Sequence, residues 1–148
     1  MTDPIDSIRR AEIEDAAALA KLTGQLGYPS DEAQMRSRLP LILGSRDRET
    51  VVAERSGRVV GYAGAWCGQG YEADAPHARV LVIVVDGGVR RGGIATRLME
   101  AIEAWAQERG AGYIVLGSGH HRDGAHTFYE RLGYRATGRR YKKHFGPS

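Results

Sequence analysis

Apolar positions recur along this chain with two periods, and the places where one period gives way to the other mark its elements. Ser7-Ile8-Arg9-Arg10-Ala11 alternates like a short strand, and Glu14-Asp15 then open a helix with Ala18, Leu19 and Leu22 on one side. Gly27-Tyr28-Pro29 stops that helix. Ser30-Asp31-Glu32 caps a second one through Met35, Leu39 and Ile42, which Pro40 is expected to kink or shorten. Thr50–Glu54 and Arg58–Ala63 read as strands around a Ser56-Gly57 hairpin turn. The β-branched run Val80–Val85 has strand length and the composition of a strand buried on both faces. Ile94, Leu98, Ile102 and Trp105 then fall at helical spacing, one apolar stripe facing a core. A buried strand at Tyr113–Leu116, a helix from about Asp123 to Leu132, and closing strands near Tyr134 and at Tyr141–Phe145 complete the pattern. The predicted fold class is α/β (α+β), a mixed sheet in the order β-α-α-β-β-β-α-β-α-β, in one domain over 1–148 without repeat or linker.

Composition narrows the function. With 42% hydrophobic and 26% charged residues the chain suits an ordinary globular domain. The single Cys67 excludes an internal disulfide and makes a reducing cytoplasm the expected compartment. No metal site is expected. The start lacks a basic segment followed by a long apolar run, and nowhere do about 18 apolar residues run together, so neither a standard export signal nor a membrane partner is expected. A net charge of +3 is too small to argue for nucleic acid, although Arg135, Arg139, Arg140, Lys142 and Lys143 gather positive charge near the C-terminus.

The chemistry concentrates where the Val80–Val85 strand passes into the helix at Ile94, through Asp86-Gly87-Gly88-Val89-Arg90-Arg91-Gly92-Gly93. A helix N-terminus leaves amides without intrahelical partners and carries about half a positive charge, so it favours an anion. Gly92 and Gly93 remove side chains that would block the approach, and Arg90 and Arg91 add planar donors for phosphate oxygens. The stretch reads as a pyrophosphate cradle. It is not a Walker loop, because Ile94-Ala95 stand where Lys and Ser or Thr are needed, and it lacks the G-x-G-x-x-G spacing of a dinucleotide fold.

Arg90-Arg91-Gly92-Gly93-Ile94-Ala95 resembles the Q/R-x-x-G-x-G/A motif of the GNAT superfamily of acyl-CoA-dependent N-acetyltransferases. Ala125-His126-Thr127-Phe128-Tyr129-Glu130-Arg131-Leu132-Gly133-Tyr134 resembles that family's A-x-x-F-Y-x-x-x-G-F/Y segment, in the expected order. The resemblance implies a mostly antiparallel GNAT-like sheet, acetyl-CoA as co-substrate, and direct transfer to an amine without metal or covalent enzyme intermediate. It implies that main-chain groups of Ile83, Val84 and Val85 hold the pantetheine arm. Arg90, Arg91, Gly92, Gly93, Ile94, Ala95 and Thr96 hold the diphosphate, and Tyr129 is the catalytic proton donor to sulfur. Asp86-Gly87-Gly88 departs from the proline and acid common in relatives, a change expected to loosen the turn. Arg122 stands where relatives have an asparagine that touches CoA.

The long loop between Cys67 and Ala78 is expected to wall the substrate site. A base for the amine is open among Glu72, Asp74, His77, His120 and His121, and Trp66, Tyr71 and Tyr28 are candidates for lining the amine pocket. A small-molecule amine is the expected acceptor, since no acidic or basic groove for a peptide is legible. A silent acyl-CoA sensor, a protein N-terminal or lysine acetyltransferase, and a homodimer stay open.

Overall fold

The alternating segment at the start of the chain forms β1 (Ser7–Arg10), which pairs antiparallel with β2 (Arg48–Arg55) in a computed structural model describing residues 7–89, 93–117, 125–138 and 141–146. β2 pairs antiparallel with β3 (Arg58–Gly68), and β3 with β4 (His77–Val85). β5 (Ile114–Leu116) runs parallel to β4, giving a mixed five-stranded sheet in the order β1-β2-β3-β4-β5. The expected α/β class and largely antiparallel sheet are therefore present. The turn between β2 and β3 is Ser56-Gly57, both at positive φ (53° and 74°), the geometry that matches the twist of a two-residue hairpin.

Helices cover both faces of this sheet. α1 (Ala16–Gln25) and α2 (Glu32–Leu43) bury Leu19, Leu22, Met35 and Leu39 against Val52, Tyr62 and Val84. Strand alternation turns Val51, Ala53, Gly61 and Ala63 to the other face. α3 (Ile94–Glu108) lies there, with Ile94, Leu98, Ile102 and Trp105 all buried as their spacing predicts. Gly61 is what lets α3 sit so close: a β-carbon there would meet Val84 O at 3.0 Å and the side chains of Ile94 and Leu98 at 3.3 Å.

α2 starts at Asp31, whose carboxylate accepts Gln34 N–H at 2.8 Å while Gln34 Oε1 accepts Asp31 N–H at 2.9 Å. It also runs three residues past Pro40 instead of stopping there. Pro40 forfeits the one bond its missing N–H would make to Arg36 O, and Leu43 on the extra turn packs against the α1–α2 core, which offsets that loss. Before α1, Arg9 forks onto Asp15 with two bonds of 2.9 Å and also reaches Glu54, tying β1, β2 and the helix entry together. Burial of Asp15 is the largest single influence and works to raise its pKa, but the Arg9 bonds, the Glu12 N–H and the Arg9 charge together outweigh it and hold the carboxyl below its ordinary value.

The chain divides into two compact units, Met1–Leu116 and Gly117–Ser148. The second contains α4 (Ala125–Arg131), inside the span expected to be helical. The closing strands expected near Tyr134 and at Tyr141–Phe145 are absent among the described residues: 134–138 and 141–146 make no ladder. Alternation supplies a strand's faces but not its partner, and a strand exists only once a neighbour accepts its bonds.

Candidate active site

Two irregularities of β4 create an open main-chain edge. Its parallel ladder with β5 covers only Ala78, Arg79 and Val80. On the other side the register with β3 shifts between Val80 and Val82, so Leu81 is a bulge residue, 54% exposed. Beyond it, Asp86 N–H donates to Val60 O at 2.8 Å, which fixes the alternation. Main-chain groups of Val84 face β3, and those of Ile83 and Val85 face the edge that β5 has left. Among the described residues nothing pairs with that edge after Val80. Val84 contributes differently from its neighbours: its main chain faces β3 and its side chain lies in the α1–α2 core.

The open edge leads into the glycine turn. Instead of loosening it, Asp86-Gly87-Gly88 forms a tied 3₁₀ turn, Gly87–Val89. Asp86 Oδ1 accepts Gly88 N–H at 3.3 Å and the Gln25 amide at 3.1 Å, while Gln25 Oε1 accepts Gly87 N–H at 2.9 Å. The end of α1 thus clamps the exit of β4. The Gln25 amide, with Gly88 N–H, holds the Asp86 carboxyl below its ordinary pKa. A depressed carboxyl contributes stability above its unfolded value of about 4 and loses it as pH falls through the lower folded value, so the clamp is complete throughout the neutral range. Replacing Gln25 by Leu is expected to raise the acetyl-CoA KM about three- to tenfold with kcat nearly unchanged, about 1 kcal/mol for the two weakly buried bonds it removes. Steady-state kinetics at pH 7 check this.

α3 begins at Gly93, whose φ of 69° and ψ of 16° are left-handed and whose missing side chain leaves the helix without a side-chain cap. Among the described residues the first main-chain bond into the helix is Arg97 N–H to Gly93 O at 3.0 Å, and the amides of Ile94, Ala95 and Thr96 precede it. Gly93 is exposed, while the Ile94 side chain is 2% exposed and only its main chain can serve an outside ligand. Arg90, Arg91 and Gly92 lie outside the described residues, as do His120, His121 and Arg122.

A comparison with family models matches residues 13–134 to the acetyltransferase (GNAT) family. The chain belongs to that family. A GNAT family acetyltransferase from Staphylococcus aureus is 25% identical with a TM-score of 0.79, over 94% of this chain and 98% of that one. Glucosamine-6-phosphate N-acetyltransferase from Arabidopsis thaliana shares the fold at 19% identity, TM-score 0.80, over 94% and 97% of the two chains. An aminoglycoside N-acetyltransferase in complex with CoA does so at 19% identity, TM-score 0.84, over 99% and 98%. No curated protein matches the sequence.

Tyr129, on α4, is half-buried beside Phe128 and Tyr134, with ring centroids 5.2 and 6.1 Å away. Glu72 and His77 gather at the opposite end of β4 from the glycine turn, eight residues or about 26 Å along the strand from Val85. There His77 is buried, stacked on Tyr113 at 5.0 Å and edge-on to Trp66 at 5.3 Å, and its Nε2 accepts Arg79 Nε–H at 3.4 Å. Glu72 accepts the Tyr113 hydroxyl, and that bond holds its pKa below the ordinary value, making it a weaker base. The loop pins β4 to the start of β5 and does not wall the open edge. Trp66 belongs to this packing, Tyr71 is fully exposed and Tyr28 is 49% exposed. Gln25 escaped the sequence reading: it stands 61 positions from Asp86 and carries no local motif.

Among the described residues no helix is long and apolar enough to cross a membrane.

Proposed function

We propose that this chain transfers the acetyl group of acetyl-CoA to a primary amine of a small molecule by direct attack in a ternary complex. The observation that carries the reading is the strip of main chain left open at Ile83 and Val85, running through a clamped turn to the uncapped start of α3. An amide-bearing arm can add to that edge as a further strand would, through main-chain bonds. A diphosphate suits the amides of Gly93, Ile94, Ala95 and Thr96, with Arg90, Arg91 and Gly92 completing the cradle. Among the described residues a β-carbon at Gly93 would meet no atom within 4 Å.

When bound, acetyl-CoA supplies the activated acyl group. The amine nitrogen bonds to the carbonyl carbon as the carbon–sulfur bond breaks, and the departing sulfur needs a proton. We assign that proton to Tyr129. A phenol of ordinary pKa about 10 is protonated at neutral pH and can donate. Losing a proton at pH 7 costs an amine of pKa about 10.4 roughly 4–5 kcal/mol, and the Glu72–His77 cluster sits at the wrong end of β4 to help. Both compact units carry a family motif, and we propose that they act as one domain in the cytoplasm. The family membership and the CoA complex of a neighbour of the same fold support the donor. Neighbours named for aminoglycoside and glucosamine-6-phosphate acetylation support a small acceptor.

The test is a panel of small amines, polyamines, amino acids, amino sugars and peptides, assayed for thiol release from acetyl-CoA. Stoichiometric acetylation of a small amine is the expected result. Turnover confined to peptides overturns the acceptor class.

A further inference from the structure

A second concentration of cationic groups lies at the end of the sheet remote from the glycine turn. A cleft of about 170 Å³ opens where β1 ends and β2 begins, beneath the last turn of α2 and the exit of α3. Four arginines line it, Arg10, Arg46, Arg48 and Arg109, with the hydroxyl residues Ser45 and Thr50 and a single carboxylate, Glu49. Arg10 already holds Glu49, with its Nε 3.0 and 3.3 Å from the two carboxylate oxygens. Arg109 lies 4.8 Å from the Trp105 ring centroid, a contact that fixes its guanidinium without neutralising it. Arg46 and Arg48 have no ion-pair partner among the described residues.

The ends of α2 and α3 contribute about half a negative charge each. Together with Glu49 they leave about two positive charges unmatched around one cleft. Guanidinium forks match the oxygens of carboxylate and phosphate bidentately, and a surplus of about two positive charges favours the doubly charged phosphate of the two. At about 30 Å³ per water the cleft has room for roughly five or six waters, enough for a tetrahedral oxyanion bearing a small substituent.

We propose that this cleft is a binding site for a phosphate-class dianion, a small phosphate monoester, distinct from the site that takes the acyl donor. Arg48 pairs with Trp66 on β3 whereas Val85, before the glycine turn, pairs with Gly61. The two places are thus five residues, about 16 Å, apart along that strand. α3 joins them, with its N-terminus at the turn and Arg109 at its other end, about 22 Å away for 15 residues.

The experiment is calorimetric titration of the intact protein with inorganic phosphate, at constant ionic strength set with chloride and with CoA at saturation. The wild type is expected to bind one phosphate with millimolar or tighter affinity while CoA stays bound. The Arg46→Gln/Arg48→Gln variant is expected to bind it at least about tenfold more weakly, with an unchanged melting temperature. Three results overturn the proposal: equal affinity in the variant, no binding to the wild type at millimolar phosphate, or competition between phosphate and CoA, which places the anion in the turn.

Discussion

Replacing Tyr129 by Phe is expected to lower kcat for acetyl transfer by about a hundredfold or more, the contribution typical of a positioned proton donor, with the acetyl-CoA KM within about a factor of two. The variant keeps the ring, and with it the packing beside Phe128 and Tyr134. A merely structural tyrosine loses little in that exchange, so the kcat readout separates the two roles. Unchanged kcat at saturating amine removes the assignment. A wild-type chain that binds CoA yet acetylates no amine marks instead a sensor that has kept the cradle.

The second large effect is expected at the turn. Gly93→Glu is expected to raise the acetyl-CoA KM by about ten- to a hundredfold, and Arg90→Ala by about tenfold, the scale of a lost charge-assisted hydrogen bond. Two physical causes act at Gly93: its φ of 69° strains any residue with a β-carbon, and a carboxylate repels the diphosphate. Gly93→Ala separates them. A β-carbon there meets nothing within 4 Å, so alanine carries the strain alone and is expected to give the smaller increase. Equal CoA affinity in wild type, Gly93→Glu and Arg90→Ala by calorimetry contradicts the cradle.

Periodicity made much of this fold legible because burial follows it. Ile94, Leu98, Ile102 and Trp105 share one face of α3, and all are buried against the sheet. Ser56-Gly57 announced its hairpin because few residue pairs tolerate the backbone that turn requires. β4 was harder: it starts at His77, three residues before the apolar run, because buried His77 and exposed Arg79 break the apolar pattern. What composition cannot encode is contact between distant segments. The Gln25–Asp86 clamp, the bulge at Leu81 and the early end of the β5 ladder each depend on partners far along the chain. The same limit explains the loop at Glu72 and His77. Its residue types suit acid–base chemistry, but antiparallel pairing carries it to the far end of β4. The open edge and the clamped turn are therefore structural findings, and the glycines and arginines between them are the part the sequence announces.

A crystal structure of the protein with CoA tests the central claim most directly. The account predicts the diphosphate within about 3 Å of the main-chain amides between Arg90 and Thr96, with the pantetheine amides bonded to Ile83 and Val85. A diphosphate bound at any other surface, or a pantetheine arm that leaves the β4 edge empty, contradicts it.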